Sequence, residues 1–537
     1  MSLQFITGNS GNGKTKYLFN RIVKEAKANP RDNYLVIVPE QFTMQTQRQL
    51  VDLSENKAIM NIDVLSFKRL AYRVFDELGI TNLTVLEETG KNLVLRKLAA
   101  QEADKLGVIG RNLNRIGYIS EVKSLLSELV QYNISPEELG RYIDSGSLSD
   151  TLSGKLKDVL VLYEAFEKFM QDKYITAEEI LNVLCNVADE SAILRNSVIA
   201  FDEFTGFTPI QNQLIKKLFV ISKKIYVTLT IDCREDIFKS RGMQELFDMP
   251  KRTVKSLTEM ASFYGIEVEE PIILDKNYRL AENEELSFME QQLFRKQRRS
   301  FEKAPKHIHI DCLRDPKQEL TKIARTINEL VRNENLRYRD MAIVTGDVNI
   351  YAGYVREIFD KYSIPYFIDA TQEILFHPFI EFIRSIPDIA AQNFSADAVF
   401  RFLRCGFSEL LDSEIDVLEN YVLACGVRGK SAWDKKWVRL PKHKAGYDIE
   451  LLNQSREYIM ELLKPVYQVF SDKKSTVKDY VLAIYKLIVL LDIPDKLAKK
   501  EQALLDAGDQ TASKEYGQIY KIVMQLFEKY VAVLGDE

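Results

Sequence analysis

The sequence lacks closely spaced cysteines, long apolar runs and an excess of positive charge. Its five cysteines, Cys185, Cys233, Cys312, Cys405 and Cys425, are scattered without a single C-x-x-C spacing. Neither a zinc site nor an iron–sulfur cluster can be assembled from such neighbours, and reduced, mostly buried thiols are the reading that is left. No apolar stretch reaches bilayer-spanning length, and the N-terminus lacks the basic-then-apolar order of a signal peptide, so a cytoplasmic protein is expected. The net charge of −5 excludes a uniformly basic nucleic-acid coat, although a local basic groove stays open. No internal repeat is evident.

What is present begins at the first residues. Leu3 to Ile6 read as a short buried strand, and Tyr17 to Ala28 carries apolar residues at helical spacing. Between them runs Gly8-Asn9-Ser10-Gly11-Asn12-Gly13-Lys14-Thr15, a full G-x-x-x-x-G-K-[ST] phosphate loop. Three glycines and two asparagines leave the backbone free to turn left-handed, so that successive N–H groups converge on a phosphate at the positive end of the next helix. Lys14 is expected to reach the β- and γ-phosphates and Thr15 to hold a Mg²⁺. The pattern, correctly flanked by strand and helix, points to a nucleoside triphosphate.

The length of 537 residues exceeds one core and suggests about three or four domains. Strands are expected at Asn33–Val38 and Ile62–Leu65, with helices at Thr43–Leu53 and Ser66–Leu78, the start of a parallel α/β sheet. From about Glu87 to Leu194 helix follows helix: Thr89–Lys105, Ile116–Tyr132, Ser135–Tyr142 and Leu156–Lys173. The sheet resumes with the strand Ser197–Phe201, closed by Asp202-Glu203. An acid at the carboxyl end of a strand neighbouring the phosphate loop would orient the Mg²⁺, and a second would polarise an attacking water. Ile225–Ile231 and Glu267–Leu274 read as further strands, and a charged stretch, 281–306, contains Arg295-Lys296-Gln297-Arg298-Arg299. A second α/β unit is expected from strands at His307–Leu313, Met341–Thr345 and Tyr366–Ile368 and helices from Asp315 or Pro316 to Arg332 and from Tyr351 to Tyr362. From His377 onward the pattern is helical, with a polar break at 428–450.

Two α/β units interrupted or followed by helices, with a phosphate loop at the start and Asp-Glu far downstream, resemble superfamily 1 helicases of the UvrD type. The closer resemblance is to the AddB family, the second of the two chains in the bacterial AddAB helicase–nucleases that process DNA double-strand breaks. It is carried by Gly8–Thr15, Val36-Ile37-Val38-Pro39-Glu40-Gln41-Phe42-Thr43, Ser66-Phe67, Phe201-Asp202-Glu203-Phe204 and Asn277-Tyr278-Arg279, and it covers the whole chain in order. It implies a RecA-like ATP-binding domain from 1–86 plus 195–280, a helical insertion at 87–194, the first part of a second RecA-like domain at 281–376, and a further helical domain at 377–537 inserted in the second. It implies ATP and Mg²⁺ as cofactors. Gly8, Asn9, Ser10, Gly11, Asn12, Gly13, Lys14 and Thr15 would bind the nucleotide, Thr15 and Asp202 the metal, and Lys14, Asp202, Glu203 and Arg279 would serve catalysis, Arg279 at the γ-phosphate. A heterodimer with an AddA-like helicase–nuclease partner, single- and double-stranded DNA as substrate, and a role in homologous recombination are implied as well. Full-length relatives scan DNA for Chi and carry a 5′→3′ exonuclease domain with a [4Fe–4S] cluster, which nothing here resembles.

The departures are informative. UvrD-type motors carry a glutamine upstream of the phosphate loop, and only seven residues precede Gly8. They place another beside the attacking water, after the strand corresponding to Ile225–Ile231, where this sequence has Asp232-Cys233-Arg234-Glu235-Asp236. A degenerate motor is therefore expected, one that binds ATP, turns it over slowly and leaves translocation to its partner. The chain stops before the last motor motifs, so an N-terminal part of such a protein is expected. A stand-alone phosphate-loop kinase or regulator, and an architectural component with a vestigial site, are the alternatives.

Two further features stand apart. Arg428–Lys444 holds seven Lys or Arg against one acid, Asp434, and both tryptophans, Trp433 and Trp437. It reads either as a strand-binding loop, with phosphates on the cations and bases on the rings, or as a solvated loop pinned by buried tryptophans. His307 and His309 alternate as a metal pair would, but with no third ligand in view an ordinary strand face is the simpler reading.

Overall fold

The computed structural model describes residues 1–537 except 81–84, 113–116, 146–147, 171–173, 177, 296–298, 370–372 and 442–446, and at 111 the backbone alone. Ile116 and Lys173, at the ends of two expected helices, Lys296-Gln297-Arg298 of the charged run, and Lys442 and Lys444 of the basic stretch lie outside the described residues. The chain divides into two compact units, Met1–His309 and Ile310–Glu537.

The first unit opens with β1 (Ser2–Gly8), α1 (Lys14–Ala28), β2 (Tyr34–Ile37), α2 (Thr43–Leu53), β3 (Ile62–Leu65) and α3 (Phe67–Leu78). There follow β4 (Val85–Leu86), α4 (Glu88–Gln101), α5 (Tyr118–Gln131), α6 (Pro136–Asp144), α7 (Asp150–Met170), β5 (Ile175–Thr176) and α8 (Ile180–Val187). It ends with β6 (Val198–Phe201), α9 (Pro209–Ile221), β7 (Lys224–Thr230), α10 (Asp248–Phe263), β8 (Glu267–Val268), β9 (Ile272–Leu274) and α11 (Glu284–Gln292). Among the described residues the main sheet runs β3-β2-β6-β7-β1-β8, with β9 also on β1, and every pairing is parallel. This is an α/β fold with a RecA-like parallel sheet and helical parts.

The sheet is covered on both faces, which explains why its strands read as unbroken apolar runs rather than alternating ones. Successive side chains leave on opposite sides. Phe5, Leu35, Ile37, Ile199 and Phe201 pack against α3, α8, α9 and α10, while Ile6, Tyr34, Val36 and Ala200 pack against α1 and α2. The helices start where the sequence supplies a cap. Thr208 and Gln211 form a capping box with Pro209 in the first turn of α9, and Ser135 and Glu138 do the same for α6.

Helices α4 to α7 occupy the stretch expected as a helical insertion, and β4 pairs in parallel with β5 at its two ends. The expected stretch, 87–194, runs past this group. Its last helix, α8, packs with α3 and α9 in the sheet's own core, where Ile180, Leu184, Cys185 and Leu194 are buried.

In the second unit α12 (Pro316–Asn333) and α13 (Val348–Lys361) pack through Leu320, Ala324, Ile327, Ile358 and Phe359. Asp315 caps α12 by accepting from the Gln318 N–H, with Pro316 in its first turn, so the start expected from sequence is the start observed. The strands expected at His307–Leu313, Met341–Thr345 and Tyr366–Ile368 are a correction: none of the three enters a ladder among the described residues. A strand is defined by its partner, and these segments have none there; Ile310 is 94%, Val344 92% and Phe367 88% exposed. The rest of the unit is α14 (Pro378–Ala391), α15 (Ala396–Leu403), α16 (Asp412–Cys425), α17 (Lys430–Asp434), α18 (Ile449–Ser471), α19 (Val477–Leu490), α20 (Ile493–Asp506) and α21 (Gln510–Leu534). These surround one core that includes Phe379, Phe382, Trp433, Ile459 and Ile488. Among the described residues no helix is long and apolar enough to cross a membrane.

Candidate nucleotide-binding site

The loop from Gly8 to Thr15 joins β1 to α1, as its sequence requires. A Cβ at Gly8 would lie 2.6 Å from the Leu274 carbonyl oxygen of β9, and Gly13, directly before α1, has φ 77°, a left-handed conformation in which a side chain would be strained. The asparagines differ from expectation. Asn9 and Asn12 are absent from the left-handed positions and serve as staples instead. Asn12 Nδ2 donates to the Leu274 carbonyl at 2.6 Å. The Asn9 side chain accepts from the Cys233 N–H at 2.9 Å and donates to Glu290 Oε1 at 2.9 Å. The loop is thus held from β9, from the segment after β7 and from α11.

Lys14 folds back over the loop, its Nζ donating to the carbonyls of Gly8 and Asn9 at 3.1 and 3.0 Å. Burial lowers its pKa, and Asp202 and Glu203 oppose that shift. Asp202 and Glu203 follow β6, which is separated from β1 by β7 and so is not its immediate neighbour. Asp202 is 1% exposed, and its Oδ1 accepts from the Thr228 hydroxyl of β7. Burial raises its pKa, the Thr228 bond opposes this, and Glu203 adds to it. Among the described residues the buried Asp202 Oδ2 has no hydrogen-bond partner. An acceptor left bare on a buried carboxylate is costly, and it suits a bound cation. Across from the pair, the Thr15 hydroxyl donates to Glu203 Oε1 at 3.3 Å. Glu203 itself has φ 64°, a strained conformation held at the end of the strand. Phe201, Phe204, Phe207 and Phe67 stack and edge against one another with centroids 5.2 to 6.3 Å apart, a rigid base behind the acid pair.

Asn277-Tyr278-Arg279 closes on the same loop. Asn277 Nδ2 donates to the Ser10 carbonyl at 2.9 Å, the Tyr278 N–H to the Gly11 carbonyl at 3.0 Å, and Arg279 Nη1 to the Ser10 hydroxyl at 3.4 Å. The tight approach leaves no space at Gly11, where a Cβ would lie 2.8 Å from Arg279 Cβ. Lys14, Thr15, Asp202, Glu203, Thr228 and Arg279 line one cleft of about 710 Å³. Of the residues singled out in the sequence, Ser10, Gly11, Gly13, Lys14, Thr15, Asp202, Glu203 and Arg279 line this cleft, whereas Gly8, Asn9 and Asn12 do not. Thr228 and Thr230 of β7 also line it without having been singled out, and Tyr278, named only as part of Asn277-Tyr278-Arg279, adds an exposed ring. The threonines alternate on β7 and Tyr278 sits beside Arg279, but strand order was needed to bring them to the loop.

The segment after β7 is where a water-positioning glutamine was looked for. Asp232 is 1% exposed and bonds Arg234 at 2.8 and 2.5 Å and Arg295 at 3.0 Å. Burial pushes its carboxyl up, but the Arg234 bonds and both guanidinium charges outweigh burial and hold it well below the usual carboxylate range. Its two oxygens are therefore engaged. After β2, Glu40 accepts from the Ser66 hydroxyl and from Arg69 Nε at 2.8 Å, which ties the Pro39–Thr43 turn to the start of α3.

The remaining expectations fare differently. Trp433 and Trp437 are 0% and 6% exposed, with ring centroids 5.3 Å apart, so neither ring is free to stack on a base. Among the described residues no group of three or more His, Cys, Asp or Glu is positioned to hold a metal ion, and His307 and His309 lie outside any strand.

Comparison with known proteins adds a family context. A family model described as "ADDB, N-terminal" matches residues 5–290. The B subunit of the ATP-dependent helicase/deoxyribonuclease of Lachnoclostridium phytofermentans is 38% identical over 547 residues, which cover 100% of this chain and 47% of that protein. Proteins of the same name from Clostridium acetobutylicum and Caldanaerobacter subterraneus are 31% and 32% identical over 549 and 550 residues, again 100% of this chain and 47% of theirs. The chain spans about half the length of the curated relatives it matches.

Proposed function

The chain belongs to the AddB N-terminal family, and on that premise we propose that it is the Mg·ATP-binding part of a helicase–nuclease component that processes DNA double-strand breaks for homologous recombination. The observation that carries the reading is the complete phosphate loop facing a buried Asp202 whose Oδ2 lacks a partner. Lys14 would leave the carbonyls of Gly8 and Asn9 to grip the β- and γ-phosphates. Thr15 and Asp202 would hold a Mg²⁺, which when bound neutralises phosphate charge. Glu203 would polarise water, and Arg279, already at Ser10, would face the γ-phosphate. Tyr278 offers an exposed ring at the rim of the cleft for a base.

Asp232 is engaged by two arginines and Glu235 by Lys251, so neither carboxylate is set to orient water, and orientation is a large part of phosphoryl-transfer catalysis. The motor is accordingly proposed to be degenerate, with an AddA-like partner in the heterodimer driving translocation along single- and double-stranded DNA in the cytoplasm. The domains expected from sequence, 1–86 with 195–280 and 281–376 as RecA-like parts and 87–194 and 377–537 as helical ones, are proposed with two changes: α8 goes with the first RecA-like part, whose core it enters, and the first part extends to His309. Chi scanning, exonuclease activity and the [4Fe–4S] cluster belong in this proposal to the longer protein. Mg·ATP affinity measured with and without DNA tests the reading: a DNA-dependent affinity is expected. Affinity indifferent to DNA would favour a stand-alone kinase or regulator, and no affinity would favour an architectural component.

A further inference from the structure

Between α17 and the start of α18, residues 435–440 form an irregular strap whose inner side is built into the helical core. Asn453, 5% exposed, donates to the Trp437 carbonyl and accepts from the Trp437 N–H, both at 2.9 Å. Arg456, also 5% exposed, donates to the Trp433 carbonyl at 2.9 Å, and the Tyr421 hydroxyl donates to the Arg439 carbonyl at 2.7 Å. Trp437 Nε1 donates to the Ala432 carbonyl at 3.0 Å. Two buried polar side chains, which are costly to desolvate, are thus used to fix backbone that has no regular structure of its own.

The outer side of the strap is cationic. Lys435, Lys436 and Arg439 are exposed and enter none of the ion pairs found among the described residues, whereas Lys430, one turn earlier, is neutralised by Asp434 at 2.5 Å. At roughly 3.3 Å per residue the three charges span about 13 Å of chain, which is close to four phosphates of one nucleic-acid strand at about 3.4 Å each. Neighbouring charges lie within about one Debye length and act together. Because the backbone beneath them is already fixed, little ordering cost remains to be met on binding.

We propose that this strap is a phosphate-backbone contact for nucleic acid, read by charge alone. With both indole rings in the core, no base can stack there, so duplex should bind at this surface at least as well as single strand. The inference rests on the reading that the chain works on DNA, and it adds a surface outside the nucleotide site.

The test uses the full chain and a Lys435→Ala/Lys436→Ala/Arg439→Ala variant, with fluorescence anisotropy on a duplex and on a single strand from about 50 to 200 mM KCl. Three lost contacts should reduce the duplex salt slope by about 2.7, so that about forty-fold of the affinity the unaltered chain loses over that range disappears in the variant. The chain's two tryptophans are both in this frame, so unchanged tryptophan emission verifies that the strap is intact. Lys435→Arg/Lys436→Arg, which keeps the charge, should keep the slope. If the unaltered chain binds DNA and the triple variant has the same slope, the strap does not touch DNA and the proposal falls alone. A variant that keeps the slope but loses assembly with an AddA-like partner would reassign the strap to a protein contact and overturn the proposal equally. Absence of salt-dependent DNA binding by the unaltered chain would overturn both the strap and the DNA reading.

Discussion

Lys14→Ala is the substitution whose effect can be worked out most fully. In the free site Nζ makes two bonds to neutral carbonyls, at 3.1 and 3.0 Å, and the loop carries those acceptors whether or not the lysine is there. A nucleotide would replace them with charged phosphate oxygens, so the gain on binding is a charge-assisted contact of about 1.5–3 kcal/mol. Its loss should weaken Mg·ATP by roughly ten- to a hundred-fold, measured by calorimetry. The proton balance gives a second, independent readout. Burial lowers the Lys14 pKa in the free site, and phosphate would raise it again. Above the lowered value, binding should therefore take up a proton, and the affinity of the unaltered chain should fall as pH rises through that value. Lys14→Ala should show no such fall. Titration in two buffers of different ionisation enthalpy reads the proton directly. An affinity for Mg·ATP that is the same in both proteins would refute the assignment of the loop.

The acid pair and the tryptophans give further tests. Asp202 has its pKa raised by burial and by Glu203, so its ionisation costs stability that is lost as pH rises from the ordinary carboxylate range through the raised value. Asp202→Asn should remove this cost, raising Tm at neutral pH in the absence of Mg²⁺ while abolishing the Mg²⁺-dependence of ATP binding; a Tm that falls would contradict the bare-acceptor argument. Trp433→Ala should destabilise the second unit by about 3–5 kcal/mol in a denaturant titration, because a fully buried ring leaves a cavity. A small change with a large loss of single-strand binding would instead revive base stacking.

What the sequence made legible is what depends on neighbours in the chain. The eight residues of the phosphate loop, the cap at Asp315 and the apolar strands before Pro39 and Asp202 all follow from local chemistry. Strand order does not: nothing in Ser197–Phe201 tells that β7 lies between it and β1, although this is what brings Thr228 to Asp202. The tryptophans show the same limit. A run of cations with aromatics looks alike whether the rings face solvent or are buried against Phe400 and Tyr421 with their backbone held by Arg456 and Asn453, since those partners lie in other helices. Asp232 was noticed as a missing glutamine, but its two arginine partners, one of them 63 residues on, became visible only in the fold.

The three extended segments around Ile310, Val344 and Phe367 bear on how this chain behaves in the test tube. Among the described residues each of them enters no strand ladder and turns a large apolar side chain to water, which is the chemistry of an open sheet edge. Such segments recruit strands from whatever is at hand, and in concentrated solution that is another copy of the same segment. Self-association would then grow with protein concentration. Charged substitutions at these three positions should improve solubility at no cost to the packed helices beside them, because none of the three side chains is part of a core.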